Sequence, residues 1–405
     1  MPHLCLRFHR LICRGNASES GARMERYAVR GRLLLGDALV PGAVVVERNR
    51  IVAIIRDARD GDLPASVREA DIVAPGLIDM QVNGAYGVEV GVEADAIATL
   101  AARLPEQGVT TFLPTLVTSP LDKMLAAYAH WHAHRNAPGA RPLGVHLEGP
   151  FLAPTRKGAH VVALIEAATP DLLSAILEGA AREGDALHLM TVAPDRPDAA
   201  EVIRRLRAAD VTVALGHTDA TYAQFVAGVD AGGVMATHMY NTMSPFTHRA
   251  PGAIGAALVD ERVTVCLIAD GIHSHPASLV LAVRAKGPGG IALVSDAMPA
   301  AGMPPGQHAL GGLDVTVDTT SARLADGTLA GSILALDQAV RNMVRWTGIT
   351  PAAALRMASE TPARLLGLTN IGRLVVGNKA DLALLDANLH VTATIRSGMV
   401  VYEKQ

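Results

Sequence analysis

Cysteine is scarce in this chain. It occurs three times in 405 residues, at Cys5, Cys13 and Cys266, with no Cys-x-x-Cys pair. That leaves no disulfide framework and fits a reducing cytoplasm, which is the expected location. An excess of one charge is also missing. Lys plus Arg number 36 against 39 Asp plus Glu, for a net charge of -3. The concentrated basic surface that nucleic acid or an anionic membrane needs is therefore not expected. No run of 18 or more apolar residues occurs, so no transmembrane helix is expected either. What is present is a chain 50% apolar and 19% charged, the composition of a globular protein with a large core. Its length suits a barrel of about 250 residues with one accessory domain.

Residues 1–23, MPHLCLRFHRLICRGNASESGAR, stand apart. They are rich in Arg, hold one acid and lack a continuous apolar stretch, so they do not read as a secretory signal. The composition is also that of an organellar transit peptide. A disordered extension, or a start assigned too early, is the expectation, because Met24 opens a well-patterned strand region.

From residue 72 onward, eight short β-rich runs alternate with helical stretches. They are 72–82, 109–117, 142–150, 187–194, 211–218, 233–241, 263–271 and 291–298. Most are continuously apolar, as strands buried on both faces should be. Amphipathic segments such as DAAEVIRRLRAA (198–209) lie between them. Eightfold alternation predicts a closed (β/α)8 barrel over 72–370. An open doubly wound sheet would want a Gly-rich phosphate turn after its first strand, and none is there. Residues 24–71 and 371–405 alternate apolar and polar residues between turn signals, which predicts a small β-sandwich built from both chain ends. Helices are expected over 332–346 and 351–367. The Gly-rich stretch 299–331 is expected to form a hairpin or lid over the site.

Function in a barrel collects at the C-terminal strand ends. Asp79, Gln81 and Asn83 end the first run, His146 and Glu148 the third, and His217 the fifth. His238 and Asn241 end the sixth, Asp270 and His273 the seventh, and Asp296 the eighth. One histidine at a strand end is usually a satisfied core residue, but many convergent polar side chains on one rim point to a site. Glu148, His217 and His238 offer a carboxylate and two imidazoles, a set that zinc and ferrous iron accept while leaving room for water. Such a metal lowers the pKa of bound water toward neutrality. Asp296 can take the water's proton and return it to a leaving amine, although read alone it also fits a helix N-cap.

These residues carry a resemblance. HLEGPF (146–151), RKGAH (156–160), GHTDATY (216–222), THMYNTMSPFTHRAPG (237–252), ADGIHSHP (269–276) and SDAMPAAG (295–302) are similar to the N-acetylglucosamine-6-phosphate deacetylases of the amidohydrolase superfamily. APGLIDMQVNG (74–84) and GNKADLALLD (377–386) extend the similarity from about residue 24 to the end. The resemblance implies release of acetate from N-acetylglucosamine 6-phosphate, with Glu148, His217 and His238 as ligands of one divalent metal, zinc first, with ferrous iron or another ion as alternatives. It implies Asp296 as acid and base, and His160 beside the acetyl carbonyl. It gives Asn241 and Thr242 to the sugar or phosphate, and Arg249 and His273 to the 6-phosphate. One of that last pair is expected to reach across a homodimer interface.

Many amidohydrolases carry His-x-His where this chain has Gln81-x-Asn83, and amides are poor zinc ligands. A single-metal site is therefore expected, with Gln81 near the metal-bound water. His130, His132 and His134 offer a competing ligand set on a helix, but that helix should end toward the opposite face of the barrel. Trp131 and Trp346 read as packing residues. The competing functions are deacetylation of N-acetylgalactosamine 6-phosphate, another amidohydrolase reaction, and a non-catalytic scaffold. The fourth run, LMTVAP, offers no Lys for carbamylation, which weighs against the cyclic-amide hydrolases.

Overall fold

The computed structural model of this chain describes residues 26–405, so the expectation for residues 1–23 lies outside the described residues. Eight parallel strands form the barrel wall. They are β1 (Leu77–Val82), β2 (Val109–Val117), β3 (Val145–Glu148), β4 (Leu187–Val192), β5 (Thr212–Leu215), β6 (Met235–Ala236), β7 (Thr264–Leu267) and β8 (Ile291–Leu293). Each pairs with its neighbour in sequence order. Val82 and Ala297 form a parallel bridge that joins the first strand to the segment after the last, and Asn83 N–H donates to Ala297 O at 2.8 Å. All nine residues of β2, VTTFLPTLV, are buried, as a strand covered on both faces requires.

The strands are shorter than the apolar runs that announced them. The run 233–241 contributes only two strand residues, because its polar end turns away from the ladder. The first run is divided as well. Ile72–Pro75 belongs to Val67–Pro75, a strand of the chain-end sheet, and only Leu77–Val82 enters the barrel. Gly76 is the break. A Cβ there would stand 2.1 Å from Thr110 Oγ1, so only glycine lets the chain pass this close.

The chain ends supply one seven-stranded sheet, in the order Met399–Glu403, Val391–Arg396, Leu382–Leu385, Val67–Pro75, Arg26–Leu35, Ala38–Glu47, Arg50–Arg56. Every pairing is antiparallel except that of Arg26–Leu35 with Val67–Pro75. The sheet closes over a core of its own in which Val44 and Val46 join Leu382 and Leu384. Ile51 N–H donates to Asn378 O at 2.9 Å, which brings the last strand of the order back toward the middle. A continuous sheet curled on itself thus supplies the sandwich-like packing. Arg141 ties this sheet to the barrel, donating to Thr111 Oγ1 and Asp381 Oδ2, both at 3.0 Å. The Asp381 side chain is 1% exposed.

Two helices, Pro351–Met357 and Glu360–Leu365, take the place of the single one expected over 351–367. The helix Leu336–Thr347 precedes them. Residues 299–331 hold a small antiparallel sheet of Gly306–Leu310, Leu313–Val317 and Ala322–Arg323. Among the described residues no helix is long and apolar enough to cross a membrane.

Candidate metal centre

Three of the rim residues meet at one point. Glu148 closes β3, while His217 and His238 each follow the end of a strand by two residues. Their side chains form a near-equilateral triangle. Glu148 Oε1 lies 3.2 Å from His217 Nε2 and 3.0 Å from His238 Nε2, and the two nitrogens are 3.1 Å apart. Among the described residues this is the gathered set of metal-ligand side chains, and all three are buried. The helix histidines are not part of it. His132 instead contacts Glu183 O at 3.1 Å.

The triangle fits a cation on the chemistry of its donors. His217 Nδ1 sits 2.9 Å from Arg156 O and can only donate there, which places the proton of the neutral ring on Nδ1. Burial, reinforced by the neighbouring His160, pushes His217 down to about 4, so the ring is neutral at pH 7. Its Nε2 lone pair therefore faces a carboxylate oxygen. Burial opposes the charge on Glu148, but hydrogen bonding to His160, first among its partners, holds it well below the usual carboxylate range. Facing lone pairs at such distances repel, and a cation among them removes the repulsion. Bonds of about 2.0–2.1 Å in a tetrahedral arrangement separate ligand atoms by roughly 3.3 Å, close to the edges observed.

Backbone geometry aims these side chains. His217 (φ +47°), His238 (φ +26°), Thr242 (φ +51°) and Asp296 (φ +51°) all adopt left-handed conformations that side-chain-bearing residues seldom hold. The helix after His217 is fixed by a capping box. Thr221 Oγ1 accepts from Gln224 N–H at 3.3 Å, and Gln224 Oε1 accepts from Thr221 N–H at 2.9 Å. Gly158 (φ +56°) passes beneath, where a Cβ would come within 2.9 Å of Thr242 Cγ2 and 3.2 Å of His217 Cε1.

The metal-ligand triangle opens into a cavity of about 630 Å³ including its mouth. His160, Asn241, Thr242, His273, Asp296 and Asn83 all line it. Thr118 N–H donates to His160 Nδ1 at 3.2 Å, which leaves the ring proton on Nε2, 3.5 Å from Glu148 Oε2. Burial, with Glu148 adding to it, pushes Asp296 up to about 6. Asn83 Nδ2 donates to Asp296 Oδ1 at 2.7 Å. His273 Nδ1 lies 2.7 Å from Asp270 Oδ2, so its Nε2 is the nitrogen left over.

The other residues singled out in the sequence divide among the site, the core and the surface. Gln81 Nε2 donates to Glu148 Oε1 at 2.9 Å and so holds the prospective ligand directly. His146 is a core histidine, bonded to Thr115 Oγ1 (3.3 Å) and Thr191 Oγ1 (2.9 Å) inside the barrel. Arg249 is exposed and is not among the cavity-lining residues. Trp131 is buried, its Nε1 donating to Pro142 O at 3.1 Å, and Trp346 packs over Gly271. Sequence reasoning missed Thr118, which lies one residue past β2, and Leu310, which the hairpin of 299–331 brings into the cavity wall.

Comparison with known proteins agrees with this arrangement. The amidohydrolase family model matches residues 72–401. An N-acetylgalactosamine-6-phosphate deacetylase of Escherichia coli O157:H7 is 42% identical over 338 residues, covering 81% of this chain and 88% of the relative. An N-acetylglucosamine-6-phosphate deacetylase of Bos taurus is 38% identical over 386 residues, covering 92% and 93%. Among solved structures, a variant N-acetyl-D-glucosamine-6-phosphate deacetylase from Mycobacterium smegmatis, in complex with N-acetyl-D-glucosamine 6-phosphate, superposes with a TM-score of 0.88 at 34% identity. The match covers 93% of this chain and 99% of that one.

Proposed function

This chain belongs to the amidohydrolase family, and from that premise we propose that it hydrolyses the acetamide of N-acetyl-D-glucosamine 6-phosphate to acetate and D-glucosamine 6-phosphate. The observation that carries the reading is the buried triangle of Glu148, His217 and His238 opening on a cavity that Asp296 also lines. The three residues would hold one divalent cation, with zinc the first choice for one carboxylate and two imidazoles and ferrous iron the alternative. When bound, such a cation acidifies water and polarises a carbonyl.

The remaining work falls to the side chains. Asp296, ionised at neutral pH, accepts the proton of the attacking water and delivers it to the departing amine nitrogen. His160, with its proton on Nε2, donates to the acetyl oxygen as negative charge develops there. Asn241 and Thr242 bound the sugar side of the cavity, and His273 meets the 6-phosphate. Arg249, on its exposed loop, reaches the phosphate of a neighbouring copy in a homodimer. A cytoplasmic, phosphorylated amino sugar is the substrate that suits these groups. In this assignment the barrel, from Leu77 to residue 370, forms the catalytic unit, and the chain-end strands, Val67–Pro75 included, are accessory to it.

A second reading, the galactosamine epimer, is favoured by the 42% identical relative. Acetate release should be measured from both N-acetylhexosamine 6-phosphates and from the free sugars. A higher kcat/KM on the galacto sugar would transfer the assignment to that epimer. A metal-loaded protein releasing acetate from none of them would favour a scaffold.

A further inference from the structure

Gln81 and Asn83 occupy alternate positions at the end of β1, so their side chains project from the same face of the strand into the site. Each amide donates to one carboxylate. Gln81 Nε2 meets Glu148 Oε1 at 2.9 Å, and Asn83 Nδ2 meets Asp296 Oδ1 at 2.7 Å. All four side chains are buried, so neither contact competes with bulk water. The two carboxylates carry separate tasks, cation holding and proton transfer.

We infer that Gln81 and Asn83 are positioning residues, a neutral two-point clamp in which each amide N–H fixes one oxygen of a carboxylate and so sets how that carboxylate faces the site. An amide donor suits this task because it grips a carboxylate without neutralising it. A lysine would form an ion pair and suppress basicity, and an apolar side chain would leave a buried oxygen unpaired. At Asp296 the clamp separates two duties. Oδ1 is anchored to β1, and Oδ2 keeps its lone pairs for the proton. The anchor is stiff because Asn83 is itself tied down through its backbone, whose N–H donates to Ala297 O at 2.8 Å. Asn83 thus grips the residue before the one that its own backbone holds. At Glu148 the amide of Gln81 approaches the oxygen that also faces His217 and His238, so it sets the rotation of the carboxylate about its plane.

The clamp rests on the deacetylase reading, and its two halves should fail in different ways. Asn83→Ala should retain its metal, as read by elemental analysis, and keep KM within about threefold, while kcat falls about 10- to 100-fold. The acidic limb of its pH profile should move upward by up to about one unit, because a donor to the charged form has been lost. The other groups that influence this carboxylate electrostatically, Glu148, His238, His273 and Asp79, remain in place and do not account for that movement. Asn83→Asp, similar in size but with a like charge in place of the donor, should lower kcat further and move the limb further. Gln81→Leu should instead weaken cation retention about tenfold or more in chelator competition, with the acidic limb unmoved.

An Asn83→Ala protein with kcat within threefold of the parent and an unshifted limb would reduce the contact to packing and overturn the clamp. So would metal loss in Asn83→Ala, or undiminished metal affinity in Gln81→Leu. Failure of the underlying reading looks different. It is the parent protein, metal-loaded, releasing no acetate from any phosphorylated N-acetylhexosamine, which removes the clamp's function along with it.

Discussion

His217 Nδ1 stands 2.9 Å from the carbonyl oxygen of Arg156, and that contact decides which ring nitrogen faces Glu148. With the Nδ1 proton committed to a fixed acceptor, Nε2 has only a lone pair to offer, and a cation beside it would relieve its repulsion with Glu148 Oε1. The amides at Gln81 and Asn83 add no strong ligand. Purified protein should therefore contain about one tightly held divalent ion per chain. His217→Ala should empty the site and abolish turnover, with the far-ultraviolet circular dichroism unchanged. Two tightly held ions by elemental analysis would contradict the single-metal assignment.

Asp296→Asn keeps the shape and hydrogen-bonding capacity of the side chain and removes its ability to carry a proton. Turnover should fall by about two to four orders of magnitude while metal and substrate are still bound. In the parent, activity should be lost on the acid side as the Asp296 carboxyl, raised by burial but held down by the bound cation, takes up its proton below about 6, and this limb should vanish in the variant. An Asn variant that keeps its metal and more than about a tenth of the activity would send the search for the base elsewhere.

Selectivity for the phosphate should divide between two residues in different places. His273 lies inside the cavity, braced by Asp270, whereas Arg249 is exposed and would serve a neighbouring copy in the proposed homodimer. Replacing either by Ala should cost about 2–4 kcal/mol of preference for the phosphorylated sugar, roughly 30- to 1000-fold in kcat/KM. Dilution below the dimer dissociation constant should reproduce the Arg249 effect in the parent. An unchanged preference in Arg249→Ala removes it from the phosphate site.

Asp79 tests electrostatics without chemistry. It is 0% exposed, and burial, with the Asp296 charge adding to it, pushes it up to about 6 from 3.8 against the hydrogen bonds of Ser295 and Gln81. A carboxyl raised in the folded state is ionised first in the unfolded one, so it erodes stability as pH climbs from about 4 through 6. The cost is constant above that window, on the order of 3 kcal/mol. Relative to the parent, Asp79→Asn should gain thermal stability between pH 4 and pH 7, as read by melting curves. A Tm difference independent of pH would refute this.

How much of the molecule was legible beforehand depended on whether a residue's task is local. The barrel and the gathering of Glu148, His217 and His238 follow from where polar residues end apolar runs, because strand ends share one rim. The break at Gly76 was not legible, since it depends on a close approach of Thr110 from the neighbouring strand. Nor was the partner of Gln81. Sequence places that amide near the metal, but only side-chain direction selects Glu148 as its acceptor. Thr118 carried a signal of its own, because the position one past the end of a barrel strand still lies on the rim.

Asp381 lies in the GNKADLALLD segment and gives it a structural role. Buried between the barrel and the chain-end sheet, it pairs with Arg141 and accepts from Ser397 N–H at 2.6 Å. Arg141→Ala removes the direct ion pair but leaves the Ser397 N–H bond and the nearby charges of Lys379 and Arg396, and should destabilise the fold by about 1–3 kcal/mol in denaturant unfolding, with kcat of the folded fraction unchanged. A loss below about 1 kcal/mol would mean that water replaces the guanidinium.

The left-handed backbone at His217, His238, Thr242 and Asp296 has a consequence for altering this enzyme. Side chains there are aimed by the main chain, so a substitution changes direction as well as chemistry. Variant libraries that scan these positions with valine or isoleucine would mostly sample misfolded loops, because branching at Cβ is least tolerated at positive φ. Asparagine and glycine hold the conformation but would remove the cation ligands and the base at His217, His238 and Asp296, so a search for new substrates should leave the bends at the strand ends as they are and vary the walls at Leu310 and Asn241.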